Sequence, residues 1–265
     1  MEAGARSVEG SGCTVTWSAD GRTVDKRYHR LRWTFLGPRH SPFERERRVG
    51  LLLRRHPPPV RHARLLAADH RTRTLRYEAI DGDPLGPKFP LDAEAGAVAG
   101  LVDLALGLRS FRPPAPFLRR FDLARRLDTA VRAGAVRPDI AAEVRRQADA
   151  DPPVIVVGHG DITARNVLRA TASDELVLID WEWAGRYPRP WDLAFLWFTL
   201  VDLPGGRAEV EAAVPAEDEA WFWRSALLVQ LLHLTLFARH PGSHPYLAKH
   251  ERLRDELVER VLALP

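Results

Sequence analysis

The segment HGDITARNVLRATASDELVLID, residues 159–180, constrains this chain more than any other stretch. His159 and Asp161 follow the apolar run VIVV, which is long enough for one buried strand, and a second apolar run ends at Asp180. Asn166 lies in the loop between the two runs. The fourteen positions from Asn166 to Asp180 accommodate a hairpin with TASDE as its turn. The spacing therefore predicts that Asn166 and Asp180 lie side by side.

Two carboxylates and an amide at this spacing suit the transfer of a phosphoryl group to a hydroxyl. The spacing H-x-D-x-x-x-x-N is that of the catalytic loop in protein kinases. A hydroxyl nucleophile needs one carboxylate to accept its proton, and Asp161 fits that role. Mg²⁺ prefers hard oxygen ligands, which Asn166 and Asp180 can supply. The pattern therefore predicts a catalytic base next to a magnesium site.

The same residues, with LIDWEWAGRYPRPWDLAFL after them, resemble the aminoglycoside phosphotransferase and choline kinase family of small-molecule kinases. The likeness is dense between residues 154 and 198, and the order of elements is similar over nearly the whole chain. It implies a protein-kinase-like fold, a nucleotide substrate (ATP or GTP) with Mg²⁺, and a small-molecule hydroxyl acceptor. The implied site residues are Asp161 as base, Asn166 and Asp180 as magnesium ligands, and His159 and Asp192 as supports of the loop.

Several of these residues also have simpler structural interpretations. His159 can be a hydrogen-bonded structural histidine, and we expect it to be structural even in a kinase. Asp192 can be the N-cap of a helix that begins at residue 193. An aspartate can also simply mark the end of a strand. Asp161 and Asp180 both follow apolar runs, however, and Asn166 is correctly spaced between them, which argues against coincidence.

The pattern along the chain changes near residue 82, which favours an α+β fold with two unequal lobes. Residues 1–81 contain a β-hairpin around SADG, a helix that begins at Ser41 and Pro42 and stops at a triple proline, and two further strands. Residues 82–265 are mainly helical, with helices expected at 91–110, 117–134, 137–149 and over most of 189–263. We expect a small β-rich nucleotide-binding lobe and a larger helical lobe for catalysis and acceptor binding.

The first lobe should bind the nucleotide through a strand lysine. Lys26 lies where a kinase has the lysine that holds the phosphates, and Val24 shares its strand face and would cover the base. A helix glutamate should hold this lysine. Glu46 is favoured over Glu44 because it shares a helix face with the apolar residues three, four and seven positions later. Glu44 should point elsewhere.

The nucleotide base should lie against the segment YEAIDG, residues 77–82, which we interpret as the hinge between the lobes. Glu78 and Ile80 are the candidate contacts. The expected phosphate loop is irregular, because Gly10 and Gly12 are followed by Val15 where a third glycine is usual. This departure supports a second hypothesis, a catalytically inactive kinase-like module that binds a nucleotide or metabolite.

The sequence does not identify the acceptor. Six of the eight tryptophans lie between Trp181 and Trp223, and their faces could hold a quaternary amine, a macrolide antibiotic or another bulky alcohol. An antibiotic such as an aminoglycoside would need clustered carboxylates, for which Glu217, Asp218 and Glu219 are candidates. Those three residues could equally be the acidic first turn of a helix. An amino alcohol or a sugar metabolite remains a further possibility.

Composition argues against several other functions. The net charge is +4 and the pI is near 9.6, but only three of the 39 basic residues are lysine, and no nucleic-acid recognition motif is present. No apolar run is long enough to span a membrane. The single cysteine, Cys13, excludes an internal disulfide, and the N-terminal segment lacks the features of a signal peptide. We expect a cytoplasmic protein and make no prediction of its oligomeric state.

Overall fold

An antiparallel sheet with one helix forms the N-terminal part of the molecule. The structure is a computed structural model that describes residues 7–9, 12–29, 41–94, 96–118, 120–237 and 244–264. Strands β1 (Ser7–Glu9), β2 (Cys13–Trp17), β3 (Thr23–Tyr28), β4 (Leu65–Asp69) and β5 (Thr74–Glu78) are arranged in the order β1-β2-β3-β5-β4. Strand β3 is therefore central, with β2 and β5 on its two sides.

The alternation of side chains along β3 places its lysine inside. Lys26 and Tyr28 are buried, whereas Arg27 between them is exposed. Asp25 points to the other face of the sheet, where its carboxylate forms a two-pronged pair with Arg76 at 2.7 and 2.8 Å. Residues 25 and 76 are direct cross-strand neighbours, so this ion pair stabilises the register of β3 against β5.

Helix α1 (Pro42–Arg55) packs against this sheet with its apolar face inward. It begins as predicted, because the Ser41 side chain accepts a hydrogen bond from the Glu44 backbone and Pro42 occupies the first turn. Glu46 lies on the buried face of the helix. Helix and sheet approach closely at Gly50, where a β-carbon would be 2.7 Å from the Leu65 side chain.

The C-terminal part is mainly helical. Its helices are α2 (Ala97–Gly107), α3 (Leu123–Arg132), α4 (Pro138–Ala150), α5 (Trp191–Thr199), α6 (Gly206–Ala212), α7 (Glu219–Phe237) and α8 (His244–Leu262). Every residue of α5 is buried, and most of α7 is buried with it, so these two helices form the centre of the large apolar core. In the part of the chain that the structure describes, no helix is long and apolar enough to cross a membrane.

Five short strands complete the fold and carry the loops of the site. They are β6 (Gly82–Pro84), β7 (Ile155–Gly158), β8 (Val167–Ala170), β9 (Leu176–Leu178) and β10 (Gly185–Pro188). The predicted hairpin is the β8–β9 pair, and β6 joins it on the other side of β8. Strand β10 pairs with β7. The sequence missed β6 and β10 because GDP and GRYP show no alternation of apolar residues.

The α+β prediction, with a β-rich N-terminal part and a helical C-terminal part, is confirmed. Two helices are shorter than predicted: the one expected at 91–110 begins at Ala97, and the one expected at 117–134 begins at Leu123. The second start is set by Asp122, whose carboxylate accepts a hydrogen bond from the Arg125 backbone at 2.9 Å and so caps the helix. The division at residue 82 stays a prediction.

Candidate active site

Lys26 is the meeting point of three separate elements. Its ammonium lies 2.8 Å from Glu46 Oε2 on α1 and 2.8 Å from Asp180 Oδ1 on the turn after β9. The hydroxyls of Tyr28 and Tyr77 also donate hydrogen bonds to the Glu46 carboxylate. The structure thus pairs Lys26 with the glutamate that the helix pattern favoured.

Glu44, the alternative partner, points to the surface. Its carboxylate bonds to Arg47 and Arg48 of the same helix at 2.8–2.9 Å. These two arginines hold the pKa of Glu44 at about 2, well below its usual value. The charge of the Glu44 carboxylate is therefore balanced by these two arginines, and Glu44 lies on a different face of α1 from Glu46.

Electrostatic attraction favours the charged forms of Lys26 and Asp180, whereas burial raises the pKa of Glu46. Burial alone would lower the pKa of Lys26, but Asp180 and Glu46 raise it well above its usual value. Burial also opposes ionisation of Asp180, yet the Lys26 ammonium holds the pKa of that carboxyl below its usual range. Asp180 is therefore a carboxylate, which is the form that a metal ion binds.

The turn after β9 gives Asp180 an unusual backbone conformation. Asp180 has φ 62° and ψ 63°, in the left-handed region that favours glycine but that aspartate and asparagine tolerate better than most residues. The hairpin before it lies as predicted, because the Ile179 N–H donates to the Asn166 carbonyl at 2.9 Å. Asp180 and Asn166 therefore lie on adjacent segments of chain.

Asp192 holds the backbone of the loop that carries Asp161. Its carboxylate accepts hydrogen bonds from the N–H groups of His159 and Gly160 at 2.9 and 2.7 Å. Burial raises the pKa of Asp192, although these two N–H groups oppose the rise. Helix α5 begins at Trp191, so Asp192 lies inside its first turn and is not the N-cap that the simpler interpretation required.

His159 fastens the same loop to the neighbouring strand. Its Nε2–H donates to the Ile179 carbonyl at 2.9 Å, and its Nδ1 accepts the Asp161 N–H at 3.3 Å. One neutral tautomer satisfies both bonds. Next to it, Gly160 has φ +83°, and a β-carbon there would be 2.5 Å from the Trp183 carbonyl oxygen. Glycine is therefore required where the loop passes this turn.

Asp161 and Asn166 are joined by side-chain hydrogen bonds. The amide nitrogen of Asn166 donates to Asp161 Oδ2 at 3.0 Å and to the Asp161 carbonyl at 2.9 Å. Both bonds use the nitrogen, so the amide oxygen is the atom that Asn166 can offer to a metal. The other carboxylate oxygen of Asp161 lies 3.2 Å from the ammonium of Lys88.

Lys88 and Glu182 belong to the site, and the sequence reasoning did not assign either of them a role. Lys88 is one of only three lysines, and that rarity was the available signal. Glu182 lies two residues after Asp180 in the motif IDWEW, where a second carboxylate is visible in the sequence. Burial, followed by the charge of Asp180, raises the pKa of Glu182 to about 7.

The carboxylates around Lys26 fit a divalent cation. Glu46, Asp180 and Glu182 offer oxygen atoms that all lie within 4.8 Å of one another. The crowding of these acids is what raises the pKa of Glu182, and a further positive charge would relieve it. Hard carboxylate oxygens, together with the Asn166 amide oxygen nearby, are the donor type that Mg²⁺ prefers.

The other predicted nucleotide contacts lie along the same sheet. Val24 is half-buried in β3, between Trp17 and Tyr77 on the neighbouring strands. The Glu78 carboxylate is engaged with Arg61 and Arg64 at 2.9 and 2.7 Å.

The hinge backbone is partly engaged as well. The backbone N–H of Glu78 already donates to the Arg64 carbonyl at 3.0 Å, so it cannot serve a nucleotide base. The neighbouring Ala79 N–H donates to Arg22. Ile80 is half-buried.

The structure describes only part of the irregular glycine loop. Gly10 lies outside the described residues. Val15, at the position of the missing third glycine, is a residue of β2 and pairs directly with Lys26. The described chain from Gly12 onward therefore enters a strand at once, and Val15 has no loop conformation.

A cavity of about 260 Å³ opens beside Asp161, among the C-terminal helices. Its wall comes from the region around the start of α3, from β10, α5 and α7, and from the loop that carries Asp161. Lys26 and Asp180 do not line it. A molecule in this cavity would contact Asp161 and Lys88.

The acidic run once considered for an acceptor lies elsewhere. Asp218 is buried between Arg109 and Arg189, with 2.6 Å to each, and Glu217 pairs with Arg109 on the surface. Neither lines the cavity. Among the tryptophans of the described chain, Trp183 and Trp191 line it, whereas Trp197 is fully buried in the core.

Solved structures of a choline/ethanolamine kinase family protein and of aminoglycoside phosphotransferases share this fold. A choline/ethanolamine kinase family protein from Mesorhizobium loti superimposes with a TM-score of 0.68 at 18% identity, covering 98% of this chain and 88% of that one. APH(3'')-Id, an aminoglycoside phosphotransferase from Streptomyces rimosus, gives a TM-score of 0.53 at 21% identity, covering 86% and 93%. The GDP and kanamycin complex of APH(2")-IIia gives 0.62 at 15% identity, covering 98% and 94%. These identities show a shared fold.

The sequence itself shows the family. A comparison with curated proteins found no match. A sequence model of the phosphotransferase enzyme family (APH), however, matches residues 15–227, a span that runs from the strand before Lys26 to the middle of α7. Because this match covers most of the chain and includes the whole constellation around Asp161, the protein belongs to the phosphotransferase enzyme family.

Proposed function

We propose that this phosphotransferase moves the γ-phosphoryl group of ATP or GTP to a hydroxyl of a small molecule, with Mg²⁺. The observation that carries the proposal is the Lys26 ammonium, 2.8 Å from both Glu46 and Asp180. In kinases the strand lysine, its helix glutamate and the metal-binding aspartate must all be in place for transfer. Here the three residues meet at one point, next to the loop that carries Asp161.

Asp161 is the proposed base. The acceptor oxygen forms a bond to the γ-phosphorus while the bond from that phosphorus to the β–γ bridging oxygen breaks, and the electron pair leaves with the nucleoside diphosphate. The proton of the hydroxyl passes to the Asp161 carboxylate. Asn166 and Lys88 hold that carboxylate at 3.0 and 3.2 Å, which orients it before the acceptor arrives.

Asp180 and the amide oxygen of Asn166 are the proposed magnesium ligands, with Glu182 close enough to assist. When bound, Mg²⁺ neutralises the charge of the phosphate oxygens. The Lys26 ammonium would bind phosphate oxygens directly, and Glu46 would hold that ammonium in position. Val24, Glu78 and Ile80 are the proposed contacts of the nucleotide base, with the contribution of Glu78 limited to its carbonyl and side chain.

The alternative of an inactive nucleotide-binding module draws its support from the irregular glycine loop alone. An inactive module has no need to keep the base, the metal ligands and the lysine together. Lys26, Asp161, Asn166 and Asp180 are all present and arranged in two bonded groups. We therefore favour an active enzyme.

The test is a calorimetric titration with a non-hydrolysable ATP analogue, with and without Mg²⁺. Asp180→Asn is the informative variant, because asparagine tolerates the left-handed backbone at this position. We expect Mg²⁺-dependent binding in the wild type and the loss of that dependence in Asp180→Asn. Asp174→Asn is the control, since Asp174 has φ 58° in an exposed turn and pairs only with Arg169. Equal Mg²⁺ dependence in all three proteins would refute the metal assignment.

A further inference from the structure

The cavity beside Asp161 is strongly cationic. Six of its described lining residues carry a positive charge: Arg45, Lys88, Arg120, Arg125, Arg126 and Arg186. Two carry a carboxylate, Asp122 and Asp161. The histidine of the wall, His233, is neutral, because burial lowers its pKa to about 3. The wall around any bound molecule is therefore positive.

Both carboxylates of the cavity are already engaged. Asp122 caps α3 through the Arg125 N–H at 2.9 Å. Asp161 accepts hydrogen bonds from Asn166 and pairs with Lys88. Each carboxylate therefore already has a partner within the protein, and six cationic side chains outnumber the two carboxylates.

The arginines of the cavity, in contrast, lack partners of opposite charge. Within the described ranges, Arg120, Arg125, Arg126 and Arg186 form no salt bridge, whereas Arg109 and Arg189 outside the cavity are paired with acids. The described wall of the cavity therefore carries more positive than negative charge.

An internal cation already covers the aromatic faces of the cavity. The Arg126 guanidinium lies 4.6 Å from the ring centre of Trp191, 5.4 Å from Phe121 and 5.9 Å from Tyr187. Tyr187 covers another part of Trp191 by stacking at 4.9 Å. The other two large rings of the wall also lie near cations of the protein: Arg45 is 5.5 Å from Trp183 and Lys88 is 5.2 Å from Phe195. Burial also lowers the pKa of Arg126, which shows that this cation has lost solvation that an anion would replace.

We propose that the acceptor is a small organic anion, a hydroxy compound with a carboxylate or phosphate group that the arginines of the cavity bind. This inference rests on the proposed function and specifies the substrate class of the same site. Phe195, Leu228 and Leu232 line the cavity as well, so part of the carbon skeleton is apolar. The volume of about 260 Å³ is below the usual range for drug-sized ligands, which also favours a small acceptor over a multi-ring one.

The experiment compares three probes that share a carbon skeleton and differ in charge. They are 3-phenyllactate (anionic), 3-phenyl-1,2-propanediol (neutral) and phenylalaninol (cationic), titrated by calorimetry into protein saturated with Mg²⁺ and the ATP analogue. Saturation keeps the probes away from the phosphate site. We expect the anion to bind at least about tenfold more tightly than the cation, with the difference shrinking as salt rises. Glycerate and glycerol 3-phosphate, titrated against glycerol, distinguish a carboxylate acceptor from a phosphate acceptor.

Variants show whether the arginines cause the preference. Arg186→Gln and Arg126→Gln should each reduce the preference for the anion. If replacement of the half-buried Arg126 prevents folding, Arg186→Gln alone still tests the proposal. Arg146→Gln is the control, because Arg146 is an exposed residue of α4 that pairs with Glu143. Equal or tighter binding of phenylalaninol would overturn the proposal. So would the absence of binding by every anion up to about 10 mM, or an unchanged preference in Arg186→Gln.

The outcome also separates this inference from the proposed function. Release of ADP with choline or kanamycin as acceptor, but with no anionic alcohol, would confirm a kinase and overturn the anionic acceptor. Arginine-dependent anion binding without ADP release from any of the hydroxy compounds would overturn the kinase and leave the anion specificity of the cavity standing. Release of ADP with an anionic alcohol alone would support both.

Discussion

The ammonium of Lys26 lies 2.8 Å from the carboxylate of Asp180, although 154 positions separate the two residues in the chain. Strand β3 carries the lysine, and the turn after β9 carries the aspartate. Glu46 on α1 binds the same ammonium. Three elements must therefore be correctly packed before this network exists, so the site depends on the relative placement of the sheet and the helical part.

Glu46→Gln should weaken nucleotide binding by about tenfold, because the loss of one charged partner frees Lys26 to turn toward Asp180 alone. The measurement is the dissociation constant of the Mg²⁺-bound ATP analogue. Glu44→Gln is a matched control on the same helix, since the Glu44 carboxylate pairs with Arg47 and Arg48 at the surface. Similar constants for the two variants would mean that the Lys26–Glu46 pair does not position the lysine for phosphate.

Asp161→Asn should lower kcat by about 10²- to 10⁴-fold, the usual contribution of a general base. Affinity for the Mg²⁺-bound nucleotide should stay within about twofold, since Asp161 faces the cavity and lies outside the Lys26 network. ADP release, measured with an acceptor from the charge-matched screen, gives kcat. Asp149→Asn, an exposed change on α4, should leave both values unchanged. A nearly normal kcat in Asp161→Asn would assign the base elsewhere.

Local periodicity accounts for the parts of the site that could be predicted. Helical spacing placed Glu46, and not Glu44, on the inner face of α1, and strand alternation placed Lys26 inside the sheet. The hairpin between Asn166 and Asp180 followed from two apolar runs and a polar turn. In each of these cases the signal lies within about fifteen residues of chain, where the regular geometry of a helix or strand determines which side chains share a face.

Contacts between distant segments could not be predicted in this way. Lys88 reaches Asp161 across 73 positions from a stretch without periodicity. The cationic cavity assembles arginines from the start of α3, from β10 and from α1, and their neighbours in sequence give no sign that they converge. In a chain with 39 basic residues, most arginines are at the surface, so composition could not single these out. The tertiary fold determines which of these arginines lie without a carboxylate partner.

Asp192→Asn should destabilise the protein by about 1–3 kcal/mol. The substitution replaces one carboxylate oxygen with an NH₂ group, which cannot accept the hydrogen bond of a buried backbone N–H. Both acceptor oxygens are in use, on His159 and Gly160. We expect the midpoint of thermal unfolding to fall by several degrees and kcat to fall with it, since the same loop carries Asp161. Asp128→Asn, which breaks a surface pair with Arg145, should change the free energy of unfolding by less than about 1 kcal/mol. An unchanged midpoint in Asp192→Asn would show that the loop does not depend on this carboxylate.

His233 should make stability depend on pH in the acid range. Its Nδ1–H donates to the Val229 carbonyl at 2.9 Å, and burial, with a smaller contribution from the charge of Lys88, lowers its pKa to about 3. In the unfolded chain a histidine titrates near pH 6.5. Between about pH 6.5 and 3 the unfolded state therefore binds a proton that the native state does not, and the free energy of unfolding falls as pH decreases.

The His233→Gln variant should show a shallower loss of stability than the wild type between pH 6.5 and the onset of acid unfolding, measured by urea denaturation at several pH values. His250, which is also buried and has its pKa lowered by burial, should leave a residual slope in this variant. His56→Gln is the control, because His56 is an exposed residue at the end of α1 and does not line the cavity. If His56→Gln and His233→Gln flattened the profile equally, the buried imidazole of His233 would not be the source of the pH dependence. The conclusion that His233 is neutral in the cavity wall would then be wrong.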